Sequence, residues 1–178
     1  MICKRNLIFL FFLLFVEVLI SQSSSDNPNF IFILADDQGW NGTSVEMING
    51  LKESKSDFYE TPNIEKLANQ GIKFSYAYSG APVCAPSRYS IQFGQTPARL
   101  KMIRVGMNTE HIKHDSDFTI PKQLKKINPN YISAHYGKWG MDSSPKILGY
   151  DVSDGPTKNK DGVFNYKSNK LQWSNNFD

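Results

Sequence analysis

The sequence predicts an α/β layered fold, because apolar strand-like runs and short helices alternate along it. The continuous apolar run Asn29–Ala35 is too short for a helix and rich in Ile and Phe, which indicates a buried central strand of a parallel or mixed sheet. Thr61–Gly71 carries the signals of a helix, and Tyr131–Tyr136 has the pattern of a second strand. The order strand, helix, strand favours a layered α/β domain.

The composition is that of a globular chain. With 178 residues, a formal net charge of +3 and 40% hydrophobic residues, it is too apolar and too weakly charged to be wholly disordered. Its 12 Gly and 9 Pro are ordinary numbers, which excludes a collagen-like chain. Because no stripe of Lys and Arg stands out, we expect no nucleic-acid partner.

The N-terminus has the pattern of a secretory signal peptide. A basic start and the apolar stretch Leu7–Val16 precede polar residues that begin at Ser21. The alternative is a membrane anchor, but the apolar stretch is shorter than the ~20 residues that span a bilayer, and Glu17 follows it. We expect a signal peptide over residues 1–22, no stable membrane span after its cleavage, and a secreted, lysosomal or periplasmic location that depends on the source.

Cleavage of this leader would leave Cys84 as the one cysteine, because Cys3 lies in the leader. A secreted chain with one cysteine has no internal disulfide. Cys84 is therefore either a reactive or modified residue, or an ordinary small buried side chain.

The helix over Thr61–Gly71 follows from its ends and its spacing. Thr61 suits the cap, Pro62 suits the first helical position, and Gly71 suits the stop. Ile64, Leu67 and Ala68 would share one face.

Later segments have weaker signals. Ile72–Tyr78 alternates apolar and polar residues, which predicts a strand or extended segment. Ser87–Phe93 suits a helix that stops at Gly94, and Thr119–Ile127 suits another with Pro121 near its start.

Polar residues that could carry chemistry follow these elements. Asp36 and Asp37 end the first strand, where adjacent carboxylates are hard ligands for Ca²⁺ or Mg²⁺, or else form a solvated turn. Cys84 precedes a helix start, which favours anions, and Arg88 lies one turn further on. Lys138 follows the second strand and is either an anion-binding residue or a surface lysine.

Together these segments resemble the sulfatase family, in the family's order and across nearly all of residues 27–157. The segments that carry the resemblance are Phe30–Trp40 (FIFILADDQGW), Thr61–Gly71 (TPNIEKLANQG), Cys84–Arg88 (CAPSR), Gly137–Trp139 (GKW) and Pro145–Gly155 (PKILGYDVSDG).

The resemblance implies a fold and a reaction. The fold would be the alkaline-phosphatase-like mixed, mostly parallel sheet with flanking helices. Residues 27–178 would be the N-terminal part of a sulfatase catalytic domain that is incomplete at its C-terminus. The reaction would be hydrolysis of a sulfate monoester of a small molecule or glycan. Its nucleophile would be a Cα-formylglycine that a formylglycine-generating maturation enzyme makes from Cys84.

The resemblance also implies residue roles. Arg88 matches the residue that steadies the hydrated aldehyde, and with Pro86 it matches the maturation signal. Asp36 and Asp37, together with the modified Cys84, match ligands of a divalent cation, usually Ca²⁺, with Mg²⁺ as the alternative. Lys138 matches a lysine that binds the sulfate group.

Two features depart from the family pattern. The family often has His after GKW, whereas this chain has Gly140, and His135 is not assigned that role. Family members are also much longer, and their remaining metal ligands and leaving-group residues come from the later part. We therefore expect the 178-residue form to be a fragment that is inactive by itself.

Two other functions stay open. One is a phosphodiester or phosphonate monoester hydrolase of the same superfamily. The other is an inactive, truncated sulfatase-like secreted protein.

Overall fold

The computed structural model describes residues 27–158, 164–165 and 170–171. The chain divides into two units, Met1–Ile33 and Leu34–Asp178, which are described separately. The predicted signal peptide, residues 1–22, lies outside the described residues. Within them, no helix has both the length and the apolar character to cross a membrane.

The predicted buried strand over Asn29–Ala35 is wrong for the described residues. Asn27–Ile33 of the first unit contains neither helix nor strand, and Leu34 and Ala35 of the second unit are not in a strand either. The apolar side chains of Phe30–Leu34 are 43–89% exposed. A buried strand exists only through ladder partners and covered faces, and the described part of the chain gives this run no ladder.

The described residues of the second unit contain four α-helices and four short strands. The helices are α1 (Pro62–Gln70), α2 (Cys84–Phe93), α3 (Ile120–Ile127) and α4 (Pro145–Leu148), and a 3₁₀ turn covers Lys52–Ser54. The strands are β1 (Ala134–His135), β2 (Val152–Ser153), β3 (Phe164–Asn165) and β4 (Lys170–Leu171). The architecture is therefore α/β, as predicted.

The strands form two small sheets. β1 pairs in parallel with β2, with Ala134 opposite Val152 and His135 opposite Ser153. β3 and β4 are antiparallel. The strand predicted at Tyr131–Tyr136 exists, but only two of its residues are in the ladder.

Helix α1 lies where the sequence places it, between Thr61 and Gly71. The Thr61 hydroxyl does not cap it: Oγ1 instead accepts a hydrogen bond from the backbone N–H of Ser44, 3.0 Å away. The predicted apolar face is not buried, since Ile64 is 41% and Leu67 64% exposed. Local sequence signals thus determine where the helix forms, but they do not determine which part of the protein packs against its apolar face.

The Ile72–Tyr78 segment is not in a strand, but its side chains do alternate. Lys73 bonds the carbonyl of Glu46, and Ser75 Oγ donates to the carbonyl of Met47 over 2.7 Å. The apolar side chains of the segment (Ile72, Phe74, Tyr76 and Tyr78) are 69–87% exposed. The polar residues therefore anchor the segment, which reverses the usual expectation for an alternating pattern.

Helix α2 is the centre of the core. It begins at Cys84, three residues before the predicted start, and ends at Gly94, whose φ of +58° lies in the left-handed region that glycine tolerates. The buried apolar cluster is Ala85, Tyr89, Phe93, Leu100, Met102, Ile112, Trp139, Met141 and Leu148. The core thus joins α2 to the loop that follows β1.

A polar cluster of Lys125, Asp151 and Ser133 joins α3 to the parallel strands β1 and β2. Lys125 of α3 forms an ion pair with Asp151, whose Oδ2 also accepts from the N–H and hydroxyl of Ser133 over 2.7 and 2.9 Å. The side-chain bond from Lys125, followed by that from the Ser133 N–H, lowers the pKa of Asp151.

We expect Asp151→Asn to lower the free energy of unfolding at neutral pH by about 1 kcal/mol, the scale of a partly exposed ion pair. Because the folded pKa of Asp151 is lowered, its contribution is present above the unfolded value of ~3.9 and lost as pH falls through the folded value. Urea titrations at neutral and acid pH measure this difference.

The matched control is Asp117→Asn, since Asp117 is 74% exposed and 4.0 Å from Lys126. It should leave the free energy of unfolding unchanged at both pH values. Equal changes in the free energy of unfolding for the two substitutions would contradict a stabilising role for the polar cluster.

Candidate functional site

Three predicted site residues from distant segments meet in one charge cluster, which comprises Asp36, Arg88 and Lys138. Arg88 Nη2 lies 3.1 Å from Asp36 Oδ1, and Lys138 Nζ lies 2.5 Å from Asp36 Oδ2. The pairs are separated by 52 and 102 positions in the sequence. The fold therefore brings together residues that the sequence could only nominate separately.

Arg88 is held from two sides. It lies on α2, and its side chain is 9% exposed. Its Nη1 donates to the carbonyl of Lys138, while Nη2 bonds Asp36. Both bonds use the fork of the guanidinium, which a lysine could not reproduce.

Cys84 is the first residue of α2 and is half-buried. The first N–H groups of a helix lack intrahelical acceptors and give that end a partial positive charge. Cys84 and Arg88 are four residues apart, so they share one helix face, and long helical side chains lean toward the N-terminus. Cys84 thus lies on the same helix face as Arg88, one turn before it.

The loop Gly137–Gly140 holds Lys138 through contacts that the sequence did not indicate. Asp154 Oδ2 accepts from the N–H of Gly137 over 2.8 Å. Thr157 Oγ1 accepts from the N–H of Trp139 over 2.9 Å, and the Thr157 carbonyl accepts from Gly140 over 3.1 Å. The sequence contained no signal for Asp154 and Thr157 beyond their place in or next to a family-like segment.

The cluster carries a surplus of positive charge, with two cations against one carboxylate. The hydrogen bond from Lys138, with further help from that of Arg88, lowers the pKa of Asp36, although partial burial opposes this. Asp36 therefore stays ionised at neutral pH. A buried guanidinium beside an ammonium group is suited to a tetrahedral oxyanion.

A divalent cation is not held by these residues as they are arranged. Carboxylates are the right donors for Ca²⁺, but both oxygens of Asp36 face cations. Asp37 lies in a turn with φ of +56°. Among the described residues, no group of three or more His, Cys, Asp or Glu could hold a metal ion.

The ring of His135 packs among aromatic side chains. Its ring meets Trp139 edge to face at a centroid distance of 4.7 Å, and Tyr150 at 5.6 Å. Burial, followed by the nearby charge of Arg88, lowers the pKa of His135. It is therefore a neutral part of an aromatic group at neutral pH.

Comparisons with known proteins agree with the motifs. The family model described as Sulfatase matches residues 28–175. Human N-acetylgalactosamine-6-sulfatase is 29% identical over 129 residues, which cover 67% of this chain and 23% of that protein. N-acetylgalactosamine-6-O-sulfatase of Bacteroides thetaiotaomicron is 31% identical over 146 residues, 81% of this chain and 26% of that protein. A sulfatase of Formosa agariphila is 40% identical over 96 residues, 52% of this chain and 17% of that protein.

The chain spans about a quarter or less of the length of these relatives. The family match covers most of the chain, including Asp36, Cys84, Arg88 and Lys138. The chain belongs to the sulfatase family.

Proposed function

We propose that this chain contributes the nucleophile and part of the anion-binding group to a site that hydrolyses sulfate monoesters. One observation carries the proposal: Arg88, which joins Asp36 and Lys138 in a cluster with surplus positive charge, lies one turn after Cys84 on the same helix. A nucleophile beside fixed cations suits attack on an anionic ester, because the cations offset charge on the oxygens.

The residues would divide the work as follows. Arg88 and Lys138 would bind sulfate oxygens and leave the sulfur open to attack. Asp36 would hold the two cations in place, since it bonds both of them. The helix N-terminus at Cys84 would add the partial positive charge of its N–H groups.

The nucleophile would be a Cα-formylglycine made from Cys84 by a maturation enzyme. Its hydrated aldehyde supplies one hydroxyl that attacks sulfur and a second whose deprotonation later expels sulfate. We also propose Asp36, Asp37 and the modified Cys84 as ligands of Ca²⁺ or Mg²⁺ in the complete protein, with further ligands from outside the described residues. Metal binding would require Asp36 to release at least one of the two cations that it bonds in the present arrangement.

Two further assignments belong to the proposal. Residues 27–178 would form the N-terminal part of an alkaline-phosphatase-like catalytic domain, and residues 1–22 would direct the protein into a secretory pathway. N-terminal sequencing of secreted protein tests the leader: a mature chain that still begins at Met1 would contradict it.

Conversion of Cys84 is the direct test of the nucleophile. In a host with a formylglycine-generating enzyme, mass spectrometry of the Cys84 peptide should show one sulfur and two hydrogens exchanged for one oxygen. Arg88→Ala should reduce the converted fraction strongly, because Arg88 matches the maturation signal.

The control is Arg99→Ala, which changes an exposed arginine beyond the end of α2 and should leave conversion unchanged. If the secreted protein carries only the unmodified thiol in a host that converts another sulfatase, the proposed nucleophile is wrong.

The substrate class is tested by comparing aryl esters. Two of the relatives named above, the human and the Bacteroides thetaiotaomicron proteins, are N-acetylgalactosamine-6-sulfatases by name, which supports a sulfated sugar as the natural substrate. A sulfate and a phosphate ester of the same aryl alcohol should be assayed on the 178-residue chain and on the product of its full natural reading frame. Faster hydrolysis of the phosphate ester would favour the phosphodiester and phosphonate branch of the superfamily.

A further inference from the structure

Gly140 has a backbone that disfavours other residues. Its φ of +67° lies in the left-handed region, and its N–H is fixed by the 3.1 Å bond to the Thr157 carbonyl. Gly137, at the other end of the same short loop, also has a left-handed backbone, with φ of +84°. The loop therefore turns at both ends through glycines.

The two glycines differ in what surrounds them. A Cβ at Gly140 would lie 3.2 Å from Arg88 Cδ, 3.5 Å from Arg88 Nε and 3.6 Å from Lys138 Cε. A Cβ at Gly137 would have no atom within 4 Å. Only Gly140 borders the stems of both cationic side chains.

Those stems have little freedom to move aside. Arg88 is 8% exposed, and its Nη atoms are committed to Asp36 and to the Lys138 carbonyl. Its Nε is buried and has no hydrogen-bond partner among the described residues. In a close-packed environment a shift of a few tenths of an ångström at Cδ carries through to the guanidinium.

We propose that Gly140 is a positioning residue for Arg88 and Lys138. With no side chain and a left-handed backbone, it leaves the space through which both stems reach Asp36. The contacts of Gly140 with the two side chains do not depend on the proposed function. Only the role of Arg88 and Lys138 in binding sulfate rests on it.

The first test observes the guanidinium of Arg88 by NMR, through the side-chain ¹⁵N signals of arginine. Arg99 and Arg104, the other arginines of the described residues, are exposed, so the slowly exchanging Nε–H and resolved Nη signals should belong to Arg88. Their loss in Arg88→Lys confirms the assignment. We expect Gly137→Ala to keep these signals and Gly140→Ala to shift them and average the Nη pair.

The second test separates contact from backbone strain, and it also serves if Gly140→Ala folds poorly. Both alanine substitutions carry the strain of a positive φ, but we expect Gly140→Ala to lower the thermal midpoint by about 2–4 °C more than Gly137→Ala. In an Arg88→Ala background, which removes the Cδ and Nε that the new methyl meets, the extra loss at Gly140 should disappear.

Two outcomes would overturn the proposal. One is an Arg88 spectrum of Gly140→Ala that matches that of Gly137→Ala. The other is an extra loss at Gly140 that persists in the Arg88→Ala background. Neither readout depends on ester hydrolysis, so failure of the proposed function would leave both tests intact.

Discussion

Replacing Trp139 with alanine is expected to cost about 3–5 kcal/mol of the free energy of unfolding, the range for large aromatic residues removed from a core. Trp139 is 1% exposed. Its ring packs edge to face against His135 and Tyr150, and its Nε1 donates to the carbonyl of Ser143. The substitution would leave a cavity and an unpaired buried carbonyl together.

This cost is large against a total stability of about 5–15 kcal/mol for a typical domain. The substitution should also disturb the candidate site, because Trp139 lies between Lys138 and Gly140 in the sequence and its backbone N–H donates to Thr157 Oγ1. Urea titration followed by far-UV circular dichroism measures the cost without relying on tryptophan fluorescence.

The matched control is Trp40→Ala. Trp40 is 45% exposed, and its Nε1 donates to the Ser75 carbonyl over 3.2 Å. We expect this substitution to cost about 1 kcal/mol, the scale of one exposed hydrogen bond. Similar costs for the two tryptophans would show that the loop after β1 is not part of the core.

Helix positions could be predicted because their signals are local. Pro62 at the first turn and Gly71 at the end fix α1, and Gly94 fixes the end of α2. The start of α2 was predicted three residues late, because Val83 offers no capping side chain to mark it. Propensity and capping act within a few residues, so they are visible in the sequence.

Burial could not be predicted in the same way, because it depends on partners far away in the chain. Asn29–Ala35 has the composition of a buried strand, but composition does not supply a ladder. Ile72–Tyr78 alternates as a strand does, yet Lys73 and Ser75 form its anchoring bonds. The sequence pattern shows which side chains are polar and which are apolar, but tertiary contacts determine which of the two sets is buried.

The candidate site shows the same division. Motifs indicate Arg88 and Lys138 as candidates, since hydrolysis of an anionic ester would require cations beside a nucleophile, and they indicate Asp36 as a candidate metal ligand. The convergence of these residues on Asp36 was not predictable, because it joins three segments through side chains. Asp154 and Thr157 support the loop through individual hydrogen bonds, which leave no periodic pattern in the sequence.

The largest functional effect is expected at Cys84. Measured on the product of the full natural reading frame, Cys84→Ala and Cys84→Ser should each lower steady-state sulfate ester hydrolysis by about 10³-fold or more, because both would remove the proposed formylglycine nucleophile. The two variants should differ in what remains on the protein. The serine hydroxyl next to Arg88 and Lys138 can attack sulfur once, but it lacks the second hydroxyl that expels sulfate, so the sulfate ester stays attached. Mass spectrometry should therefore find an added SO₃ group on the peptide that contains position 84 in Cys84→Ser and none in Cys84→Ala. Full turnover by Cys84→Ser would mean that water, and not a second hydroxyl on residue 84, releases the sulfate, and it would contradict the proposed formylglycine mechanism.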